Sequence, residues 1–278
     1  MPVTPGADRL NLEAADAYCR FLTGRHYENF SVASSFVDAE KRRDLARIYA
    51  FCRSTDDLGD ESRTEAAALT RLARWKEETA AMLEGRPPNH PVLLALQQTI
   101  EARRMPAQPF LDLIEANIMD QTVKSYATWP ELIRYCELSA APVGRMVLRV
   151  FGMEGHALEK LSDDVCIGLQ LANHAQDVSR DAAIGRRYLV DSDLATGGTE
   201  GAVKSMVERA RELLASGKAL EKQAPVALRL QLALYRLGGL AICRSIEGVG
   251  YKTESHRPHV STATKVSLVL RAALEGLA

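Results

Sequence analysis

A polar column recurs every four residues in one long stretch of this chain. Asn173, Asp177 and Asp181 lie within residues 143–224, a segment that contains no proline. On a helix of 3.6 residues per turn, side chains four apart lie along one face and drift by about 40° per step. The stretch therefore predicts a long helix with three oxygen ligands stacked on one side.

A second acidic column lies nearer the N-terminus. Asp56 and Asp60 are also four residues apart, and they follow an apolar run over residues 45–51. Desolvated carboxylates that face one another cost several kcal/mol unless cations compensate them. Mg²⁺ is suited to that role, since it binds one or two carboxylates together with substrate phosphate oxygens. The alternative is that each column lines a solvated helix face, but two such columns favour a shared cation and a phosphorylated substrate.

Helical spacing of apolar residues and proline or glycine punctuation organise the rest of the chain. Pro142 and Gly144 predict a kink in the helix that Trp129 opens, and residues 191–201 are the most loop-like segment. No stretch alternates as a strand does, so the fold class is all-α, in a single domain over residues 1–278. The predicted helices cover residues 8–22, 38–60, 64–84, 91–103, 107–124, a segment from 129, one ending near 185, 201–216, 225–249 and 261–276.

Composition excludes several classes of protein. The formal net charge of -1 argues against a nucleic-acid surface. The sequence shows no apolar run typical of a membrane span and no signal peptide, so we expect a cytoplasmic protein. Five cysteines without a CxxC pair are typical of reduced, buried thiols rather than of a disulfide framework or a zinc site.

Some candidate residues keep two interpretations at this point. His26 is either a structural histidine or part of a site, and Asp120 faces either a cleft or the surface. Arg53, three residues before Asp56, is either an ion-pair partner or a phosphate ligand. Arg186 and Arg187, after Gly185, supply cations close to Asp181.

Five motifs together resemble the squalene/phytoene synthase family, over about residues 18–260. They are His26-x-x-x-Phe30, Tyr49-Ala50-Phe51-Cys52-Arg53-x-x-Asp56-x-x-x-Asp60, Tyr135 before Pro142-Val143-Gly144, Gln170-x-x-Asn173-x-x-x-Asp177-x-x-x-Asp181, and Gly185-Arg186-x-Tyr188-Leu189.

The resemblance implies a class I isoprenoid synthase helical bundle around a central apolar cavity, with two Asp-rich motifs that bind Mg²⁺ and diphosphate at its mouth. By motif position, the metal ligands are Asp56, Asp60, Asn173, Asp177 and Asp181. The residues expected to face the diphosphate are Arg53, Gln170, Arg186 and Tyr188, and those expected to line the upper cavity are His26, Phe30, Tyr49 and Tyr135. We expect the four aspartates and Tyr49 to be catalytic.

Departures from the family pattern narrow the expected reaction. Coupling members commonly carry Ser-Lys-Ser-like residues where this chain has Tyr27-Glu28-Asn29, and often an arginine where it has Gln176. Two cations are missing, and a site for two diphosphates needs more positive charge than a site for one. The segments 26–30 and 139–145 resemble the bacterial hydroxysqualene synthase branch of hopanoid biosynthesis.

That branch converts presqualene diphosphate and water to hydroxysqualene without NADPH, which agrees with the lack of a Gly-rich dinucleotide loop. It implies hand-over from a presqualene diphosphate synthase and transient contact with the membrane surface. Tyr49, His26 and the leaving diphosphate are alternatives for orienting the water. The competing readings are coupling of two farnesyl diphosphates and a non-catalytic scaffold.

Overall fold

The computed structural model describes residues 11–24 and 37–277, and these ranges are helical with no strand. The helices are α1 (Leu12–Gly24), α2 (Ala39–Asp60), α3 (Glu65–Leu83), α4 (Pro91–Arg103), α5 (Gln108–Thr122), α6 (Trp129–Ser139), α7 (Ala141–Val150), α8 (His156–Gln176), α9 (Val178–Ala183), α10 (Asp191–Gln223), α11 (Val226–Gly248) and α12 (Thr262–Leu277). The prediction of an all-α fold is confirmed.

Local capping chemistry fixes where several helices begin. The Asp38 side chain accepts a hydrogen bond from the backbone N–H of Lys41 at the start of α2, and Thr64 does the same for Ala67 at the start of α3. Pro91 and Pro130 lie in the first turns of α4 and α6, where a missing N–H costs nothing. These signals are local, so the sequence predicts the starts of these helices closely.

The kink expected before Gly144 is present. The helix is interrupted at Ala140, which separates α6 from α7, and Pro142 lies in the first turn of α7. The acidic column of α8 is also interrupted, which the sequence did not predict. Asp177 has φ -98° and ψ 14° and separates α8 from α9. Its N–H still bonds to the carbonyl of Asn173, and its carbonyl accepts from the N–H of Asp181, so the four-residue spacing survives the break.

The prediction of a loop over residues 191–201 was wrong. This segment forms the first turns of α10, and a non-helical residue, Gly198 (φ 61°, ψ -167°), kinks the helix there. Acidic residues in the first turn stabilise a helix N-terminus, and Asp193 also accepts a hydrogen bond from the Trp129 indole at 3.1 Å. Tertiary contacts thus outweigh the turn-forming composition of the segment.

Two large apolar clusters hold the bundle together. One joins α5, α6, α8, α10 and α11 around Leu171 and Met206. The other joins α1, α2, α3, α4, α5 and α7 around Phe51 and Leu96. α11 is the one helix of the described ranges long and apolar enough to cross a membrane, with a mean hydropathy of 1.4. More than half of that apolar window, 56%, is buried inside the bundle, as is usual for a core helix.

Close packing between α8 and α10 depends on Gly168. A Cβ at this position would lie 3.0 Å from the carbonyl oxygen of Ala210 and 3.0 Å from Leu214. We expect Gly168→Ala to lower the free energy of unfolding by about 1–3 kcal/mol, the usual cost of overpacking a core. Urea denaturation followed by circular dichroism measures this change.

Gly238→Ala in α11 is the matched control, because a Cβ there meets no atom within 4 Å. Since alanine favours helix, this variant should be neutral or more stable by up to about 1 kcal/mol. Equal losses in the two variants would contradict the close-packing argument.

Candidate active site

Two acidic walls face one cavity of about 340 Å³. α2 contributes Asp56 and Asp60, while α8 and α9, with the break between them, contribute Asn173, Asp177 and Asp181. The structure thus brings together all five residues that the motif resemblance implied as metal ligands. The cavity is also lined by Cys52, Leu113, Ala116, Asn117, Asp120, Tyr135, Ser139, Val143, Gln170, His174, Arg186 and Tyr188.

The charge in this cavity is unbalanced. The described lining contains five carboxylates, those of Asp56, Asp60, Asp120, Asp177 and Asp181, and a single guanidinium, that of Arg186. Burial, opposed by a hydrogen bond from Asn117 and reinforced by the charge of Asp60, raises the pKa of Asp56 to about 6. An elevated pKa shows that the ionised carboxylate is poorly compensated by the protein itself.

This donor set fits magnesium held jointly by protein and substrate. In residues 11–24 and 37–277, no three His, Cys, Asp or Glu side chains are close enough to hold a metal ion by themselves. Mg²⁺ rarely uses an all-protein cage and instead combines one or two carboxylates with waters and phosphate oxygens. Oxygen ligands divided between two walls, with a net negative charge, match that mode of binding.

Asp120 organises an aromatic wall of the cavity. Its two carboxylate oxygens accept hydrogen bonds from Tyr135 Oη and Tyr188 Oη, each at 2.8 Å. The ring of His174 stacks on Tyr188 with centroids 3.7 Å apart, and His174 Nε2 lies 3.1 Å from Gln170 Nε2. Burial raises the pKa of Asp120, while Arg186 opposes the shift. Of the two placements left open by the sequence, the structure selects the cleft.

Arg186 links the two walls. It follows Gly185, whose φ of 74° favours glycine, and its own N–H bonds to the carbonyl of Asp181 at 2.9 Å. The guanidinium crosses the cavity and donates to Asp60 Oδ1 at 3.1 Å. Its side chain is only 16% exposed. The cation predicted close to Asp181 is therefore shared with the opposite wall.

Comparison with known proteins agrees with this geometry. The squalene/phytoene synthase family model matches residues 23–264. The chain belongs to this family. The relatives that it matches are named synthases of isoprenoid biosynthesis.

Individual relatives define the likeness further. The chain is 37% identical to the hydroxysqualene synthase of Rhodopseudomonas palustris over 58% of its own length, and the match spans 54% of that relative. Among solved structures, squalene synthase HpnC from Alicyclobacillus acidocaldarius is 42% identical in sequence and superposes with a TM-score of 0.80. The match covers 86% of this chain and 95% of that one. A dehydrosqualene synthase structure, 23% identical with a TM-score of 0.83 over 94% of this chain and 96% of that one, shares the fold.

A cation from a distant part of the sequence reaches the position where this chain has Gln176 and coupling members often have arginine. Arg257 donates through Nε to Asp177 and through Nη2 to Gln176 Oε1 at 3.1 Å. Gln176 is 4% exposed, and its amide also bonds to the carbonyl of Pro258 at 2.7 Å. Arg257 is eighty positions from Asp177 in the sequence, yet its guanidinium contacts the second acidic motif. The residues of the motif alone could not have predicted this contact.

Other predicted site residues are not part of the described lining. Arg53 pairs with Asp57 at 2.6 Å, one helical turn on, rather than with Asp56. Tyr49, one turn before Arg53, is half-buried, and burial raises its pKa. His26 and Phe30 lie outside the described residues, as do Tyr27, Glu28 and Asn29. Of the implied diphosphate-facing set, Gln170, Arg186 and Tyr188 line the cavity, and Tyr135 lies beside them.

The uncompensated charge at Asp56 leads to a stability prediction. In EDTA at pH 7.5, Asp56→Asn should raise the melting temperature by a few degrees, because it removes a desolvated carboxylate. The folded-state pKa of about 6 lies above the ordinary 3.8, so the ionised group destabilises the fold increasingly as pH rises through that interval. The gain should therefore shrink at pH 4.5.

Differential scanning fluorimetry measures these shifts. Asp57→Asn is the matched control, since Asp57 is paired with Arg53 and should give no increase. With Mg²⁺ and inorganic diphosphate together, the parent protein should gain more stability than Asp56→Asn. A parent protein as stable as the variant in EDTA at pH 7.5 would show that the cavity charge is already compensated.

Proposed function

We propose that this enzyme converts presqualene diphosphate and water to hydroxysqualene and diphosphate, with Mg²⁺ and without NADPH. The observation that carries the proposal is the single cavity between two acidic walls, with five carboxylates and one guanidinium in its described lining. Such a cavity suits metal ions bound together with one diphosphate. The names of the hydroxysqualene synthases that the chain resembles support the choice of substrate.

In this proposal Asp56, Asp60, Asn173, Asp177 and Asp181 hold the metal. When bound, magnesium supplies positive charge that stabilises the departing diphosphate. Arg186 and Gln170, which line the cavity, orient the diphosphate, and Arg257 holds Asp177 in position. The Arg186 guanidinium is well suited to this role, since its planar donors match phosphate oxygens.

The aromatic wall has a separate role in the proposal. The hydroxyls of Tyr135 and Tyr188 both donate to Asp120. Neither side chain then offers a free hydroxyl to the cyclopropylcarbinyl cation left on the substrate, and the two rings form part of the cavity wall beside it. Water adds to the rearranged cation at carbon, and we assign the proton it releases to the departing diphosphate. Tyr49 is the weaker candidate for orienting that water, because it lies outside the described lining.

One observation favours the coupling of two farnesyl diphosphates as a second candidate. Arg257 supplies a cation beside Gln176, where coupling members often have an arginine. The inference from missing charge to a single diphosphate is correspondingly weaker.

Product analysis separates the two candidates. Purified protein and Mg²⁺ are incubated with presqualene diphosphate or with farnesyl diphosphate, without NADPH, and the extracted lipids are identified by mass spectrometry. We expect hydroxysqualene from presqualene diphosphate only, and a loss of at least about 10²-fold in kcat for Asp177→Asn, as is usual when a key charge-stabilising group is removed. A coupled product from farnesyl diphosphate alone would replace the proposal with the second candidate.

We further propose that the enzyme acts in the cytoplasm, at times at the inner face of the membrane. Both the proposed substrate and the proposed product are C30 lipids, which partition into bilayers. Hand-over from a presqualene diphosphate synthase would supply the substrate.

A further inference from the structure

The last helix carries an apolar stripe on its outer face. Val266, Leu270 and Leu274 follow one another at intervals of four residues on α12, and they are 57%, 62% and 74% exposed. The opposite face is buried, where Leu268 and Ala272 pack against Leu237 and other residues of α11. A helix that is apolar on both faces normally buries both, one against its own protein and the other against a partner or a membrane.

A groove beside this helix shares one lining residue with the acidic site. A cavity of about 540 Å³ lies between α8, α11 and α12, and Asn173 lines both this groove and the acidic cavity. Its walls are mostly apolar, and Gly238 contributes no side chain to them. The apolar lining comprises Leu169, Leu234, Ile242, Val260, Leu268 and Val269. An isoprenoid chain is the kind of ligand that such a groove accommodates, and the groove lies between Asn173 of the acidic site and the helix with the exposed stripe.

The charges of α12 favour an anionic partner. Lys265, which is exposed and lines the groove, lies on one side of the stripe. Arg271 lies on the other side, where it pairs with Glu275 at 2.7 Å. The helix carries these two cations and one acid, Glu275, whereas the whole chain has a net charge of -1. Apolar residues flanked by basic side chains are typical of helices that lie in the interface of an anionic bilayer.

We propose that α12 docks on an anionic lipid bilayer through Val266, Leu270 and Leu274, and that the adjacent groove passes the isoprenoid between the bilayer and the acidic site. The inference rests on the proposed function in one respect, since it takes the substrate to be a lipid. The bilayer is the occupant that the apolar groove and the exposed Lys265 beside it favour over a second copy of the chain.

Vesicle flotation tests the docking surface. Full-length protein is mixed with phosphatidylcholine vesicles that contain one quarter phosphatidylglycerol, and with pure phosphatidylcholine vesicles. We expect binding to the anionic vesicles and at least a tenfold lower bound fraction for Leu270→Glu/Leu274→Glu. Val226→Glu is the control, because Val226 is 50% exposed but lies at the start of α11, and it should float like the parent protein.

Turnover gives the second readout. With presqualene diphosphate embedded in anionic vesicles, the double variant should lose at least tenfold in rate, while in detergent micelles it should stay within twofold of the parent protein. If the proposed function is wrong, the parent protein turns over neither preparation, yet flotation still reports on the docking surface.

Three results would overturn the docking proposal. Flotation of the double variant equal to that of the parent protein would show that the stripe does not contact lipid. A parent dimer that the double variant converts to a monomer in sedimentation velocity would assign the face to a second copy. A melting temperature lowered by several degrees in the double variant would show that the chain's own residues cover the face.

Discussion

The electrostatic cost of placing carboxylates on two facing helical walls determines much of this structure. At Asp56 the cost is mainly that of burial, which, reinforced by the charge of Asp60 on the same helix, raises the pKa of Asp56 to about 6. The described protein offsets it only in part, through Arg186 across the cleft and Arg257 at Asp177. The remaining negative charge favours the binding of cations together with a polyanionic ligand.

The helical framework keeps the two walls apart and rigid. Residues from both apolar clusters border the cavity, and close contacts such as that of Gly168 with the backbone of α10 fix α8 in place. Asp120 then ties α5 to Tyr135 on α6 and to Tyr188. The side chains that pack the bundle therefore also set the geometry of the site. A change in packing on α8 would move the acidic wall that this helix carries.

The sequence predicted those parts of the fold and site that depend on local patterns. Helix α4 was expected at residues 91–103 and is observed at Pro91–Arg103, because proline and the apolar spacing mark it. The two acidic columns were recognised from spacing alone. Features that depend on long-range contacts were not predicted: the helical state of residues 191–201 and the contact between Arg257 and Asp177 were missed, and the position of Asp120 was left open between the cleft and the surface. Each requires partners that are distant in sequence, which periodicity and motifs do not encode.

The central claim is that the two walls bind divalent metal together with diphosphate rather than alone. Electron paramagnetic resonance of Mn²⁺, titrated into metal-free protein with and without inorganic diphosphate, measures bound metal directly. We predict weak binding without diphosphate and binding at least tenfold tighter with it, with the enhancement lost in Asp56→Asn and in Asp177→Asn. Tight Mn²⁺ binding without diphosphate, or an enhancement that persists in both variants, would contradict the account.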